Sequence, residues 1–461
     1  MKTIIVSLVL GSVVTLVPVI GGVGAPLPAA NAAEATERRA RSDAPAPDGT
    51  IVPLTPAFIN QLADELYTNS PALAAAFART NAAAHAVTAV RTWEDPMVRG
   101  GYMFADNQDM MRMDEGDLFY GVEQKLPLWG KPQAMRRMAQ AELGVAAADA
   151  DLRFQRLRFE LARALFRAAL AFEGVRIGEE DLAWVEKMRA VADARFRSGD
   201  GALTEVLRLQ NEQSRRADQL TTSRAQLRQE EVALNRLLNR PPETRWPKLA
   251  LPEVAASVGY SERLVQMAFT YAPELRKMRE EVRVADAAVN KARRDRYPEI
   301  SLGVDARNDS NNGDWRQTEV MLNVSLPIFN RGRYRADIAR EEARRKAAEL
   351  EVADLELATR LEVHGLTVKI DAARREALLY RGEILPRSEQ ALAAAQSAWQ
   401  SGNGMFLDVL EARRMLLEAR LMTARAVSEQ WQMLAELVLC CGLADLEALQ
   451  MLDLEAKGTT P

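Results

Sequence analysis

Residues 197–207 read RSGDGALTEVL, and residues 400–410 read QSGNGMFLDVL. Each phrase is a Gly-x-Gly reversal followed by a short apolar and acidic run, and the two stand about 200 residues apart. That interval is far longer than a solenoid repeat. One half of the chain therefore reads as a structural copy of the other. Two further pairs keep the same order and nearly the same offset: SPAL at 70–73 with APEL at 272–275, and KLPLWGK at 125–131 with SLPIFNR at 325–331.

Reading outward from the first phrase, residues 133–197 are helical in pattern almost without a break, and no proline occurs between Pro132 and Pro241. At 1.5 Å per residue such a segment spans roughly 100 Å, several times an ordinary globular helix. The SGDG turn at 198–201 ends it, and a return helix follows from about Leu203 to Arg240, where RPPETRWP stops the pattern. Upstream, a helix starts near Ala57, with Phe58, Leu62, Leu66 and Leu73 at helical spacing. Between them the texture changes. LFYGVEQKLPL at 118–128 alternates with period two, so two strands are expected within about 93–128.

The second half repeats this plan. It gives a helix at 260–296, strands at 299–307 and 317–327 around the turn-rich NDSNNGDW, and a long helix at about 333–400 with a kink expected at Pro386. The SGNG turn at 401–404 and a return helix at 406–439 complete it. The resulting division is a signal peptide at 1–33, an extended leader at 34–56, a first repeat at 57–240, a linker at 241–259, a second repeat at 260–442 and a tail at 443–461. The N-terminal assignment rests on Lys2, the apolar run that follows and the small residues near Ala32 and Ala33, with a retained anchor as the alternative.

Composition narrows the function. The chain carries 60 basic and 64 acidic residues, which gives nucleic acid no electrostatic footprint. After the leader no apolar run reaches the 18 residues of a spanning helix, so any membrane span must be built from strands. Strands in lipid must close into a barrel, because open edges leave backbone groups unpaired. About four strands cannot close alone, since the smallest barrels need about eight. Two chains would make a tight barrel, and three would give about twelve strands. The long helices are too charged to lie in lipid and must project into water. A non-pore periplasmic coiled coil is the competing reading, and it predicts no membrane strands.

The two reversals, the LPLWGK turn into a long helix, DPM at 95–97 and the full-length duplication resemble the TolC family of bacterial outer-membrane channels, and within it the heavy-metal efflux branch of the CusC and CzcC type. Unlike many members of that branch, the chain has no Cys just after the signal. The resemblance implies a mainly α fold with a small β part, a duplicated TolC-like architecture with long helical hairpins and four strands per chain in a shared trimeric twelve-stranded barrel. It implies a passive exit duct in the outer membrane that works with a periplasmic adaptor and an inner-membrane pump of the RND type. Heavy-metal cations are the expected substrate, with organic compounds or type I protein secretion as alternatives. It also implies that the two Gly-rich phrases are periplasmic tips. Asp408 and Glu411, with Asp200 and Glu205 on the first tip, then form the gate, and Gly199, Gly201, Leu207, Gly402, Gly404 and Leu410 form the adaptor contact, with packing inside the hairpin an equal reading for the two leucines.

For most of the remaining candidates the bland reading comes first. Both turns keep Gly-x-Gly, so positive φ is expected at the glycines. Arg208, Arg413 and Arg414 could tie the closed state through inter-helix salt bridges, but on helices with this many charges a solvated pair is the first reading. Met103, Met110, Met111 and Met113, together with Met97, gather near the first strands and could offer soft ligands to Cu(I), or simply fill gaps. His85 and His364 are isolated, and the adjacent Cys440 and Cys441 read as packed helix-end residues. No nucleotide loop, zinc motif or nucleophile elbow is present, so neither a cofactor nor catalysis is expected.

Overall fold

The computed structural model describes residues 51–107, 110–309 and 313–443, with 446 and 448. The expected signal peptide, the expected leader up to residue 50 and almost all of the tail lie outside the described residues. The chain order is β1 (Ile51–Pro53), α1 (Pro56–Asn69), α2 (Pro71–Ala89), β2 (Met97–Asn107), β3 (Met110–Lys125), α3 (Lys131–Ser198), α4 (Leu203–Leu237) and β4 (Lys248–Ala250). The second half follows as α5 (Glu262–Tyr271), α6 (Pro273–Asp295), β5 (Ile300–Asp309), β6 (Trp315–Val324), a short 3₁₀ turn (Pro327–Asn330), α7 (Arg331–Leu379), α8 (Leu385–Gln400) and α9 (Phe406–Cys441). Apart from the short β1 and β4, each half supplies two helices, a β-hairpin and a long helical hairpin.

The helical stretches expected from about Ala57 and at 260–296 are each broken in two. The breaks fall at Ser70-Pro71 and Ala272-Pro273, the residues of the matched SPAL and APEL phrases. Proline is tolerated only in the first turn of a helix, so each Pro begins a new one. The kink expected at Pro386 takes the form of a π-helical turn at Tyr380–Ile384 between α7 and α8. The proline stands at the start of α8, and the widened turn absorbs its missing N–H.

Residues 241–259 are not a loose connection. The fully buried Asn235 donates to the carbonyls of Pro242 (3.3 Å) and Thr244 (2.8 Å) and accepts from Trp246 Nε1 (2.8 Å). Further along, Gln430 on α9 exchanges two hydrogen bonds with the Ala255 backbone, each of 3.0 Å. Trp431 Nε1 donates to the Glu253 carbonyl at 2.8 Å. Nearby, β4 pairs in parallel with β1, so the end of the predicted leader is fixed as well. Around these staples lies the larger core, which includes Leu161, Leu165 and Phe166 of α3, Leu234 of α4, Val265 of α5, Ile370 of α7 and Leu437 of α9.

The four long strands form one antiparallel sheet in the order β2-β3-β5-β6. All four meet their helices at the same end of the sheet. Among the described residues no helix is long and apolar enough to cross a membrane.

Candidate functional site

Two places carry chemistry: the tips of the helical hairpins and the faces of the four-stranded sheet. At the first tip Gly199 has φ +85°, and Asp200 N–H donates back to Arg195 O at 3.0 Å. The second tip repeats this, with Gly402 at φ +78° and Asn403 N–H to Ala398 O at 2.9 Å. Both are Schellman endings, which need a residue without Cβ in the left-handed region. The expectation of positive φ at all four glycines is corrected by the structure. Gly201 and Gly404 are not in that region. They are small because a Cβ on Gly201 would stand 2.9 Å from Phe196 N, and one on Gly404 would stand 2.9 Å from Ala398 Cβ.

The two tips share one small core. Val185 and Met188 of α3, Val206 and Leu209 of α4, Trp399 of α8, and Phe406, Val409 and Leu410 of α9 pack together. Leu410 is therefore committed inside its own protomer and is not free for an adaptor, whereas Leu207 is half exposed. Leu203, Met405 and Leu407 are exposed beside it. Arg195 ties the tips across the duplication: its guanidinium sits 4.7 Å from the Trp399 ring centre and donates to Trp399 O at 3.0 Å.

Asp408 and Glu411 are both exposed on α9, and at the first tip Asp200 is exposed while Glu205 is partly buried. Asp408 and Glu205 stand in the first turns of α9 and α4, where the helix dipole favours a carboxylate. Arg208 is exposed as expected. Arg413 is not. Its side chain is 9% exposed and donates from Nε to Asp181 Oδ1 of α3 at 2.8 Å. Arg216 of α4 stands 3.1 Å from the other Asp181 oxygen and 2.7 Å from Glu212. Arg414 reaches Glu212 at 3.6 Å. Arg413 also lies 4.9 Å from the Trp184 ring centre. Asp181, Glu212, Arg216 and Trp184 were not singled out from sequence, because nothing local marks a charge on a polar helix as buried.

The sheet has two chemically opposite faces. On one, Val98, Val122, Val304 and Val320 form a row across all four strands, and every one is exposed. Leu302 and Leu322 pair beside it, and Tyr102 pairs with Leu118 further along. On the opposite face the rows read Arg99, Gly121, Asp305, Glu319 and Gly101, Phe119, Arg307, Gln317. An apolar outside and a polar inside, alternating along each strand, is the pattern of a barrel wall in lipid. Among the described residues the outer edges of β2 and β6 have no partner strand. In lipid those edges must be closed by other copies.

The weaker candidates gain little. Met97 and Met103 are exposed on β2, while the side chains of Met110, Met111 and Met113 lie outside the described set. Among the described residues no group of three His, Cys, Asp or Glu could hold a metal ion. His85 is exposed, and His364 makes an edge contact with Tyr260 at 5.2 Å. Cys440 and Cys441 end α9 and are free thiols. Burial pushes the Cys440 thiol far up and Cys441 up to about 12, so neither forms a thiolate readily.

Comparison with known proteins agrees with this geometry. Residues 62–240 and 264–443 match the family described as Outer membrane efflux protein. The cobalt-zinc-cadmium resistance protein CzcC of Cupriavidus metallidurans is 24% identical over 303 residues, covering 64% of this chain and 68% of that protein. The pyoverdine export outer membrane protein OpmQ of Pseudomonas aeruginosa is 25% identical over 339 residues, covering 69% and 68%. Among solved structures, CusC aligns with a TM-score of 0.75 at 18% identity, over 84% of this chain and 92% of that one. The outer membrane protein VceC of Vibrio cholerae aligns at 0.70 with 20% identity, over 84% and 96%. At such identities the structural matches speak for the fold.

Proposed function

The chain belongs to the outer membrane efflux protein family, and from that premise we propose that it is the trimeric exit duct of a tripartite efflux system for heavy-metal cations. As a family member it is an outer-membrane channel with a periplasmic extension, and it is not an enzyme. The observation that carries the reading is the two-faced sheet, both of whose edges are unpaired among the described residues, joined at one end to long helical hairpins. Three copies bring twelve strands, enough to close a barrel with a lumen. A non-pore coiled coil gives no reason for four strands with an apolar face.

The tips then form the periplasmic end. Leu203, Leu207, Met405 and Leu407, exposed beside the glycine turns, suit contact with an adaptor's helices. An inner-membrane pump of the RND type supplies the energy, since the chain has no nucleotide loop. Asp408 and Glu411 from three copies would place six carboxylates around the entrance, a ring that attracts cations and repels anions. The metal assignment is supported by the likeness to CzcC; the likeness to OpmQ favours an organic substrate as the second reading.

Deleting the gene should sensitise cells to one or more divalent metals. Sensitisation only to organic compounds would select the second reading. Replacing both Asp408 and Glu411 with Ala should weaken block of the channel by multivalent cations in planar bilayers, with trimers still formed. Unchanged block would remove these carboxylates as the constriction.

A further inference from the structure

On the polar face of the sheet one arginine lies down instead of standing up. Arg99 of β2 is directly opposite Gly121 of β3, and Gly121 is directly opposite Asp305 of β5. The Arg99 side chain reaches past β3 to β5, while the Asp305 carboxylate fills the space over Gly121. Arg99 Nη2 meets Asp305 Oδ1 at 3.1 Å, one strand beyond, and its Nη1 stands 3.5 Å from Glu123. The arrangement is possible because Gly121 and Gly303 carry no side chains. A Cβ on Gly121 would land on the Asp305 carboxylate and stand 2.8 Å from Val304 O, and one on Gly303 would stand 3.1 Å from Arg99 Nη2. The Arg99 Nε is buried without a hydrogen-bond partner, which fits an arm pressed against the backbone. The neighbouring row repeats the arrangement in apolar form, with the Phe119 ring lying over Gly101.

We propose that Gly121 is a pore-determining residue: it leaves the space that the Asp305 carboxylate occupies, from which Asp305, together with Glu123, holds Arg99 flat, and so keeps a ring of guanidinium arms out of the lumen. The proposal rests on the barrel reading above, in which this polar face lines the channel. Side chains on the lumen side of such barrels tune selectivity. With the arm down, its charge is matched by two carboxylates and the passage is wide. With the arm up, each copy adds one unmatched positive charge and a long side chain to the bore, which favours anions and narrows the path. A cation duct gains on both counts from the flat arrangement.

The test is single-channel recording on the full-length protein in planar bilayers, with Gly121→Ala measured both alone and in an Arg99→Ala background. Alone, it should lower conductance and move the reversal potential towards anion preference. In the Arg99→Ala background it should do neither. Asp305→Ala leaves the β3 backbone untouched and covers the case in which Gly121→Ala trimers do not assemble. It should also lower conductance, and only when Arg99 is present. Conductance unchanged in either variant, or reduced equally with and without Arg99, overturns the proposal while leaving the duct intact. A wild-type protein that forms no channel overturns the duct reading and the proposal with it.

Discussion

Replacing Asp181 with Ala should destabilise the hairpin tips by about 3–5 kcal/mol, the usual cost of removing one partner of a buried ion pair. The carboxylate is 4% exposed, and it is shared between Arg413 of α9 at 2.8 Å and Arg216 of α4 at 3.1 Å. Without it, among the described residues Arg413 keeps the contact with the Trp184 ring. A cation over an aromatic ring contributes about 0.5–2 kcal/mol, which does not offset a desolvated guanidinium. The loss should be visible as faster amide exchange and earlier proteolytic cleavage at 198–201 and 401–404, with the sheet unaffected. The larger part of the effect comes from the stranded charge, not from the pair's net worth. Asp181→Leu combined with Arg413→Met should therefore be much milder than either deletion alone. The exposed pair Arg224–Glu179, at 2.7 Å, is the contrast, because its loss is expected to cost under about 1 kcal/mol. Equal exchange rates in Asp181→Ala and wild type would remove the network as a clamp between the hairpins.

The second large effect is expected at Gly442, where Ala should cost about 2–5 kcal/mol, the sum of a backbone penalty and an overpacking penalty. Gly442 closes α9 with φ +64°, and Leu443 N–H reaches back to Val438 O at 3.0 Å. A left-handed conformation at a residue with a Cβ costs about 1–2 kcal/mol. Here the space is also occupied. The added carbon would land on the Tyr271 carbonyl and stand 2.9 Å from Ala272 N, which is backbone and cannot swing away. That junction is the break between α5 and α6, so the end of one long helix is seated on the proline break of the second repeat. Overpacking of this kind adds about 1–3 kcal/mol. Gly199 and Gly402 have the same sign of φ, but a Cβ at either would meet nothing within 4 Å. Alanine there should carry only the backbone penalty of about 1–2 kcal/mol. Thermal melting of the detergent-solubilised protein should rank Gly442→Ala well below both tip variants; an equal ranking would contradict the close approach.

Much of the architecture was legible because it is periodic. Helical spacing, strand alternation and Gly-x-Gly reversals are local signals, and their recurrence about 200 residues apart exposed the duplication. The matched SPAL and APEL phrases point to copying, and the structure adds that each is a helix break. What stayed hidden depends on contacts across the chain. Arg413 sits in a run of charges, where a solvated side chain is the first reading over an inter-helix bridge, and no local signal names its partner 232 positions away. Leu410 has the same local spacing as an outward leucine, and only the packing of two tips against each other decides that it is buried. The space over Gly121 that Asp305 fills requires the register of three strands, which no single stretch encodes.

The central claim is that one chain carries a third of a barrel, with a lipid-facing apolar row, a polar lumen side and two edges that only other copies can close. Native mass measurement of the protein extracted from outer membranes in mild detergent tests this most directly. The account predicts particles of three chains that conduct when reconstituted and come apart only on heating. Conducting particles of a single chain would contradict it.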